Sequence, residues 1–159
     1  QGDAILQHIT DHPEAVEPAA RRNEVVGRIR DGLNDVPISR SGGGDWGIRF
    51  PGDETHSIYV WIDALINYLS AVDTDARRHF WPADVHFIAK DILWFHAAVW
   101  PALLMALRKR EPYEWVTLPR QVYAHSYWVS DSGRKMSKSL GNFLDPQTLL
   151  LVTGVAAKK

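Results

Sequence analysis

Three short apolar runs, separated by two helix-like segments, limit the possible folds of this chain more than any other feature. The runs are rich in β-branched and aromatic side chains, as is typical of strands buried on both faces, and they occupy residues 58–62, 85–89 and 121–125. The helix-like segments occupy residues 64–72 and 92–108. Asp63 and Asp91 stand where each helix can be capped. This alternation predicts an α/β protein with half of a doubly wound parallel sheet and right-handed crossovers.

A helical segment precedes this unit. Residues 1 to about 33 have helical spacing, which is broken before Pro13 because a residue that precedes proline is pushed out of the helical region. Pro18 can begin a second helix and Gly32 can end it. The glycines at 42–44 then predict a turn. Because the chain opens without methionine and closes soon after a helix, we expect a fragment of a larger protein.

The carboxyl ends of the predicted strands are the first candidate site. Ligands of doubly wound sheets bind in the crevice beyond these ends. The predicted strand boundaries bring five side chains to this edge: Trp61, Asp63, Lys90, Asp91 and His125.

The two predicted helices carry a second candidate site. Ile92, His96 and Trp100 are spaced four residues apart, so they share one face of a helix that Pro101 interrupts. The preceding helix and the turn before it add three more side chains: Trp61, Ala64 and Tyr68. Aromatic rings pack well against a polarisable thioether, and a phenol and an imidazole can fix its orientation. The alternative interpretation is an aromatic stripe that only packs the core.

A loop at residues 135–142 is the third candidate site. Its sequence, Lys-Met-Ser-Lys-Ser-Leu-Gly-Asn, places two ammonium groups and two hydroxyls within five residues, followed by a glycine that lets the backbone turn. Lysine is a mobile point charge with three donors, so such a loop can follow a phosphate whose charge changes during a reaction. The alternative interpretation is a solvated surface loop.

Composition excludes several classes of protein. The formal net charge of −1 argues against a broad nucleic-acid footprint, and the lack of cysteine excludes disulfides and cysteine zinc sites within the 159 residues. We predict no metal-ligating residues. No apolar run approaches the length of a membrane span. An unrelated phosphate-binding protein is disfavoured because the chain has no glycine-rich G-x-x-x-x-G-K-S loop.

Several motifs resemble class I aminoacyl-tRNA synthetases, and within them the methionyl-tRNA synthetase family. Residues 135–139 match the lysine-loop signature of the class. Residues 59–68 match the family's Y-V-W-x-D-A-x-x-x-Y element, and residues 90–101 match its K-D-I-x-x-F-H-x-x-x-W-P element. Residues 38–40 and 45–48 are also similar to the family. The resemblance covers nearly the whole chain from about Ile5, with the three long motifs in family order.

The resemblance implies a role for each matching residue. The methionine side chain would be lined by Trp61, Ala64, Tyr68, Ile92, His96 and Trp100. ATP would be bound by Asp91, His125, Lys135, Met136 and Lys138, with Asp91 near the ribose. The reacting groups would be met by Arg40, Lys135, Ser137, Lys138 and Ser139. One departure is Ala89, which stands where the family usually has glycine before Lys-Asp and adds a methyl group close to the nucleotide.

The activity implied by the resemblance is a two-step acyl transfer, in which methionine and ATP give methionyl-adenylate and the methionyl group passes to tRNA(Met). Mg²⁺ would share the charge on pyrophosphate. The domain organisation implied is a helical lead-in (1–45), half a Rossmann fold (46–130), the lysine loop (131–145) and the start of a helical region (146–159). The first half of the nucleotide fold and the anticodon-binding domain would lie outside the chain, and the location would be cytoplasmic, or mitochondrial in a eukaryote.

Two alternatives remain open at this point. Leucyl-, isoleucyl- and valyl-tRNA synthetases share the lysine loop, so only the elements at 59–68 and 90–101 indicate methionine. A binding or structural fragment without turnover is the alternative from another class, because half of the catalytic site would be missing.

Overall fold

The computed structural model describes residues 1–42 and 46–153 of the chain. The turn predicted at 42–44 lies mostly outside these residues, as does the end of the chain beyond 153. Contacts divide the chain into two compact units, residues 1–125 and residues 126–159. The described helices are α1 (Gly2–Asp11), α2 (Ala19–Arg30), α3 (Val60–Ser70), α4 (Trp100–Leu107) and α5 (Pro146–Thr153). The described strands are β1 (Val16–Glu17), β2 (Ser39–Ser41), β3 (Arg49–Phe50), β4 (Asp53–Ile58), β5 (His86–Ala89) and β6 (Val122–His125).

The first two helices form where their sequence predicts them. Helix α1 ends before Pro13, and α2 begins directly after Pro18, which has the extended backbone of an N-cap. Gly32 follows α2 with a φ of 111°, a left-handed conformation that glycine adopts without strain. Ile5 and Val25 are buried, so each helix turns an apolar face to the core.

The parallel sheet has the order β1-β6-β5. Strands β5 and β6 confirm two of the predicted strands, and they pair in parallel with His86 opposite Val122 and Ala89 opposite His125. The third member of the sheet, β1, pairs in parallel with β6 and was not predicted. Its two residues are too few to give a periodic signal. The mixed helix and strand architecture with a parallel sheet is therefore the predicted class.

The strand predicted at 58–62 is wrong. Strand β4 ends at Ile58 and belongs to a separate antiparallel sheet of order β2-β4-β3. Helix α3 begins at Val60, with Tyr59 as its N-cap. Because the apolar side chains after Ile58 are distributed around a helix, Leu65 and Leu69 can be fully buried one turn apart. Trp61 and Asp63 therefore lie on α3, and the prediction that they lie at a strand end is also wrong.

The helical segment after β5 changes its kind of helix along its length. It starts with a 3₁₀ turn at Lys90–Ile92, passes through a π-helical turn at Phe95–Val99 and continues as α4. Pro101 lies in the first turn of α4 and has no backbone N–H to donate to the turn before it. The wider π-helical turn stands directly before this proline, which agrees with the predicted interruption.

Two apolar clusters hold the first unit together. One joins the buried faces of α1 and α2 to the parallel sheet and Leu93. The other joins Leu65 and Leu69 of α3 to Trp100 and Leu104 of α4. The π-helical turn contributes buried residues to both clusters, so its side chains are fixed by packing on two sides.

The second unit is small and has mostly local structure. Val129 and Lys135 form an antiparallel bridge across a turn at which Gly133 has a φ of 75°. Asp145 precedes α5, and its carboxylate accepts hydrogen bonds from the backbone N–H and the hydroxyl of Thr148, as an N-cap does. None of the helices in residues 1–42 and 46–153 is long and apolar enough to cross a membrane.

Candidate functional site

The carboxyl edge of the parallel sheet carries three of the five residues that the sequence assigns to it. Ala89 and His125 are partners in register, so the chain leaves both strands at the same level. Lys90 and Asp91 follow in the 3₁₀ turn, and Asp91 is exposed. The ring of His125 stacks on Phe87, with 5.0 Å between ring centres. The predicted positions of Lys90, Asp91 and His125 are therefore confirmed, while their binding roles stay predictions.

Ala89 occupies the place of the family glycine without strain. Its φ of −81° and ψ of 152° are ordinary for a residue with a side chain. The additional methyl group therefore affects only the space above this edge and not the backbone.

Trp61 lies beside the π-helical turn. Its indole stacks on Phe95 with ring centres 4.1 Å apart and planes 8° apart. Its ring centre lies 6.2 Å from that of His96, with the two planes nearly perpendicular. Trp61 and His96 therefore lie on the same side of the first unit, as the shared-site prediction requires. Stacked aromatic pairs stabilise beyond their buried area by about 0.5–1.5 kcal/mol.

The protonation of His96 follows from its two hydrogen bonds. Its Nδ1 lies 3.0 Å from the carbonyl oxygen of Ile92, and its Nε2 lies 3.0 Å from the hydroxyl of Tyr68. A carbonyl oxygen can only accept, so Nδ1 carries the proton and donates it to Ile92. In the neutral ring Nε2 is then the acceptor, and Tyr68 donates to it. This chain of bonds fixes both the tautomer and the ring orientation.

The environment keeps His96 neutral. Burial lowers its pKa, and the hydrogen bond to the Ile92 carbonyl raises it by a smaller amount. In an imidazolium at this position Nε2 would be a donor, so the bond with Tyr68 would reverse its direction and the phenol proton would point elsewhere. Neutral His96 and a donating Tyr68 are thus parts of one arrangement.

The six residues assigned to the methionine side chain are not equally accessible. His96 is 2% exposed and Trp100 is fully buried, whereas Tyr68 is 40% exposed and Ala64 is also exposed. The ring of Tyr68 lies 6.1 Å from that of Trp100. The side chain of Ile92 packs against the cluster of the parallel sheet instead. The structure therefore brings Trp61, Tyr68, His96 and Trp100 together as an open shelf, in which Tyr68 is the exposed polar side chain.

Two side chains of this shelf were missed by sequence reasoning. Phe95 stacks on Trp61, and its place inside the matched element at 90–101 was a usable signal. His86 begins β5, and its ring lies 4.5 Å from Tyr68 and 5.7 Å from His96. Burial and then the charge of nearby His96 lower the pKa of His86 to about 4. Nothing in the local sequence distinguishes His86 from an ordinary strand residue.

Arg40 lies on β2, and its guanidinium lies 3.9 Å above the centre of the Tyr59 ring. A second guanidinium, that of Arg28, lies 3.9 Å above Trp94. Both arginines line one groove of about 190 Å³, together with Phe95 and the segment 32–37. Such cation–π contacts hold a guanidinium in a fixed plane.

The lysine loop, residues 135–142, lies in the second unit and is held by local hydrogen bonds. The side chain of Asn142 spans the loop, because its Oδ1 accepts from the backbone N–H of Ser137 at 2.9 Å and its Nδ2 donates to the carbonyl of Lys135 at 3.3 Å. The Ser137 hydroxyl accepts from the N–H of Leu140 at 3.3 Å. Gly141 closes the turn with a φ of 65°. The backbone of the loop is therefore shaped by its own side chains.

The charged residues of the lysine loop are exposed. Lys135 and Lys138 are exposed, and the Lys135 ammonium lies 3.7 Å from the centre of the Tyr127 ring. The Ser137 and Ser139 hydroxyls are 3.2 Å apart. Met136 is half-buried, and its backbone N–H donates to the carbonyl of Trp128 at 2.9 Å. Within the described residues, no group of three or more histidine, aspartate or glutamate side chains is arranged to hold a metal ion.

Strands that deliver Asp91 and His125 to one edge of a parallel sheet are the mark of a doubly wound α/β domain, whose ligands bind at that edge. Within this class, the chain belongs to the family described as tRNA synthetases class I (M), which matches residues 2–156.

Relatives and solved structures agree with this assignment. The chain is 45% identical over 161 residues to a methionine–tRNA ligase of Caldanaerobacter subterraneus, and 44% identical over 153 residues to one of Rhizobium meliloti. These alignments cover 98% and 93% of the chain but 24% and 28% of the relatives. A Mycobacterium tuberculosis methionyl-tRNA synthetase in complex with methionyl-adenylate superposes with a TM-score of 0.76 at 42% identity, over 95% of this chain and 29% of that one. The chain thus spans about a quarter of the length of its relatives.

Proposed function

We propose that the whole protein is a methionine–tRNA ligase, which activates methionine with ATP and transfers the methionyl group to tRNA(Met). The observation that carries the proposal is the bonded pair of Tyr68 and His96 beside the stacked Trp61 and Phe95. A site of this kind offers aromatic faces to the thioether and one oriented hydroxyl oxygen to the polar end of methionine. Membership of the class I (M) family supports the same substrate.

The polar contact to methionine is assigned to Tyr68. Both nitrogens of His96 are already engaged, one with Ile92 and one with Tyr68, and the ring is almost fully buried. Tyr68 is 40% exposed, and with its proton bonded to His96 its oxygen has only lone pairs left. These can accept from the ammonium group of methionine, but not from the thioether, because a thioether sulfur has no proton to donate. His96 therefore orients Tyr68, Trp61 and Phe95 flank the thioether, and Ala64 leaves space beside them. Ile92 contributes its carbonyl and Trp100 the floor of the shelf.

The adenylate is assigned to the carboxyl edge of the parallel sheet. Asp91 would accept from the ribose hydroxyls, and His125 would lie beside the nucleotide because it shares this edge. Arg40 would contact the reacting carboxylate and phosphate. The chemistry needs little covalent participation by the protein, since holding the reactants in line and stabilising developing charge account for most of such a rate enhancement.

The leaving pyrophosphate is assigned to the lysine loop. Lys135 and Lys138 would meet the charge that appears on it, and the Ser137 and Ser139 hydroxyls and the Met136 backbone would complete the contact. Mg²⁺ supplies further charge neutralisation when it is bound with ATP. In the second step the same protein would pass the methionyl group to the terminal ribose of tRNA(Met). The proposal includes a cytoplasmic location, where translation consumes the product.

Two measurements on the whole protein test the proposal. ATP–pyrophosphate exchange should depend on methionine and should be much weaker with leucine, isoleucine or valine, because a pocket that loses a specific contact discriminates by about 10–200-fold. Thermal shift should show stabilisation by methionine, by ATP and most by a non-hydrolysable methionyl-adenylate analogue. Exchange driven equally by the branched amino acids would reject methionine as the substrate. Stabilisation without any exchange would favour a binding protein without turnover.

A further inference from the structure

His86 is a buried polar residue at the base of the methionine shelf to which no role has been assigned. It begins β5 and is 6% exposed. Its Nε2 has no hydrogen-bond partner within residues 1–42 and 46–153. A buried polar atom without a partner costs folding free energy, so an apolar residue here would give a more stable core. The position therefore calls for an explanation other than stability.

The rings around Tyr68 suggest that explanation. Tyr68 is 40% exposed, and its hydroxyl is fixed at one point, by its bond to His96. One bond leaves the phenol free to swing, and the side chain must therefore be held by packing. The ring centre of His86 is 4.5 Å away, closer than those of His96 at 5.7 Å and Trp100 at 6.1 Å. His86 is thus the nearest aromatic support of the phenol.

The backbone makes His86 a rigid support. His86 lies in β5, which pairs with β6 through four successive residues beginning with His86 and Val122. Tyr68 lies on α3, in the last turn of an exposed helix face. A ring fixed on a strand of the sheet can therefore hold a ring carried by the less buried helix. The lowered pKa of His86 agrees with this role, because a neutral ring packs against the phenol and puts no charge beside the neutral His96.

We propose that His86 is a positioning residue, whose ring holds the Tyr68 phenol against His96 and thereby sets the affinity of the shelf for methionine. It acts through Tyr68 and has no contact of its own with the substrate. This inference rests on the proposed function, in that the shelf is taken to bind methionine.

Kinetics of three variants of the whole protein test the inference. His86→Ala removes the supporting ring, so KM for methionine should rise about tenfold, which is typical of a lost pocket contact, while KM for ATP and kcat stay within about twofold. His86→Phe keeps an aromatic ring and should restore KM for methionine to within about threefold of the wild-type value. Ile88→Ala, which truncates another buried residue of β5, is the control and should lower Tm without a selective effect on methionine.

A second readout does not depend on activity. The imidazole ¹⁵N resonances of His96 report whether Nε2 accepts a hydrogen bond and Nδ1 carries the proton. In the wild-type protein and in His86→Phe they should show a bonded Nε2. In His86→Ala the Nε2 resonance should move to the position of an unbonded acceptor, while the Nδ1 bond to Ile92 persists. A folding defect alone would not separate the two nitrogens in this way.

The outcomes separate the inference from the proposed function. If His86→Phe raises KM for methionine as much as His86→Ala does, packing of an aromatic ring does not position Tyr68 and the inference is overturned. An unchanged His96 spectrum in His86→Ala would overturn it as well. Tyr68→Phe tests the proposed function on which the inference rests. If this variant leaves the kinetics with methionine unchanged, the assignment of methionine to the shelf fails. If Tyr68→Phe raises KM for methionine and His86→Ala does not, only the positioning role fails.

Discussion

The shelf around Tyr68 and the lysine loop at 135–142 are shaped by opposite means. The shelf is assembled from α3, β5, the π-helical turn and α4, and its polar atoms are bonded across 28 residues of sequence, from Tyr68 to His96. The bonds that shape the loop, from Lys135 to Asn142, all join residues at most eight apart. Its lysines face solvent, whereas His96 is buried.

This difference matches the work proposed for each region. Choosing one amino acid requires fixed shapes and oriented donors, which only a packed core of several elements can hold in place. Neutralising a charge that appears only during the reaction requires mobile cations that meet it, and exposed lysines on a locally shaped loop are suited to this. The protein should therefore lose selectivity when the shelf is changed and lose rate when the loop is changed.

The largest effect should come from the loop. Lys138→Ala removes an ammonium that is proposed to act mainly in the transition state, so ATP–pyrophosphate exchange by the whole protein should fall by roughly two to three orders of magnitude with little change in KM for methionine. Arg134→Ala removes a neighbouring exposed charge that has no assigned role, and should stay within about threefold. Unaltered exchange by Lys138→Ala would show that the loop is only a solvated surface segment.

The buried imidazoles of the shelf should make the fold acid-sensitive. Because burial lowers the pKa of His86 to about 4 from its ordinary 6.5, the unfolded chain binds a proton more readily than the folded one. The contribution of His86 to the free energy of unfolding should therefore be fully present above pH 6.5 and should be lost as the pH falls towards 4. At about 1.4 kcal/mol for each pH unit, the loss for His86 between pH 7.5 and 4.5 is about 2–3 kcal/mol.

Urea unfolding across this range measures the loss. His86→Phe should make the free energy of unfolding depend less on pH, because no titrating group remains at this position. The control is His79→Phe, which removes a histidine from an exposed position. Some dependence of stability on pH should remain in this variant, because burial also lowers the pKa of His96. An equally steep dependence in His86→Phe would show that folding does not lower the pKa of His86.

The third effect separates selectivity from rate. Trp61→Ala and His96→Ala should weaken the use of methionine by about 1–3 kcal/mol, measured as KM or kcat/KM in pyrophosphate exchange, and should leave KM for ATP nearly unchanged. The physical reason is the loss of the stack on Phe95 in one variant and of the acceptor for Tyr68 in the other. Equal losses for methionine and ATP, together with a lower Tm, would indicate that these residues only pack the core.

The two regions also differ in how far the sequence predicted them. The spacing of Ile92, His96 and Trp100 and the lysine motif marked both regions as candidate sites, and the resemblance to the family favoured them over core packing and a solvated loop. Of the three spaced residues, Ile92 packs against the parallel sheet instead. The strand predicted at 58–62 failed because a short apolar run does not by its pattern distinguish a strand from a helix, and strand pairing of β4 extends only to Ile58. His86 could not be found, because its role depends on a ring that is 18 residues away in sequence and is placed by the fold.

The smallest effect should come from the internal bonds of the loop. Asn142→Ala removes the amide that links the N–H of Ser137 to the carbonyl of Lys135, and a hydrogen bond of this kind contributes about 1 kcal/mol. Exchange should therefore fall about three- to tenfold, far less than in Lys138→Ala, because the lysine charges remain and only their placement is looser. Leu140→Ala, an exposed apolar neighbour in the same turn, is the matched control and should change the rate by less than about twofold. A loss in Asn142→Ala as large as that in Lys138→Ala would mean that the loop is as preorganised as the shelf, and the contrast between local and core-built regions would not hold.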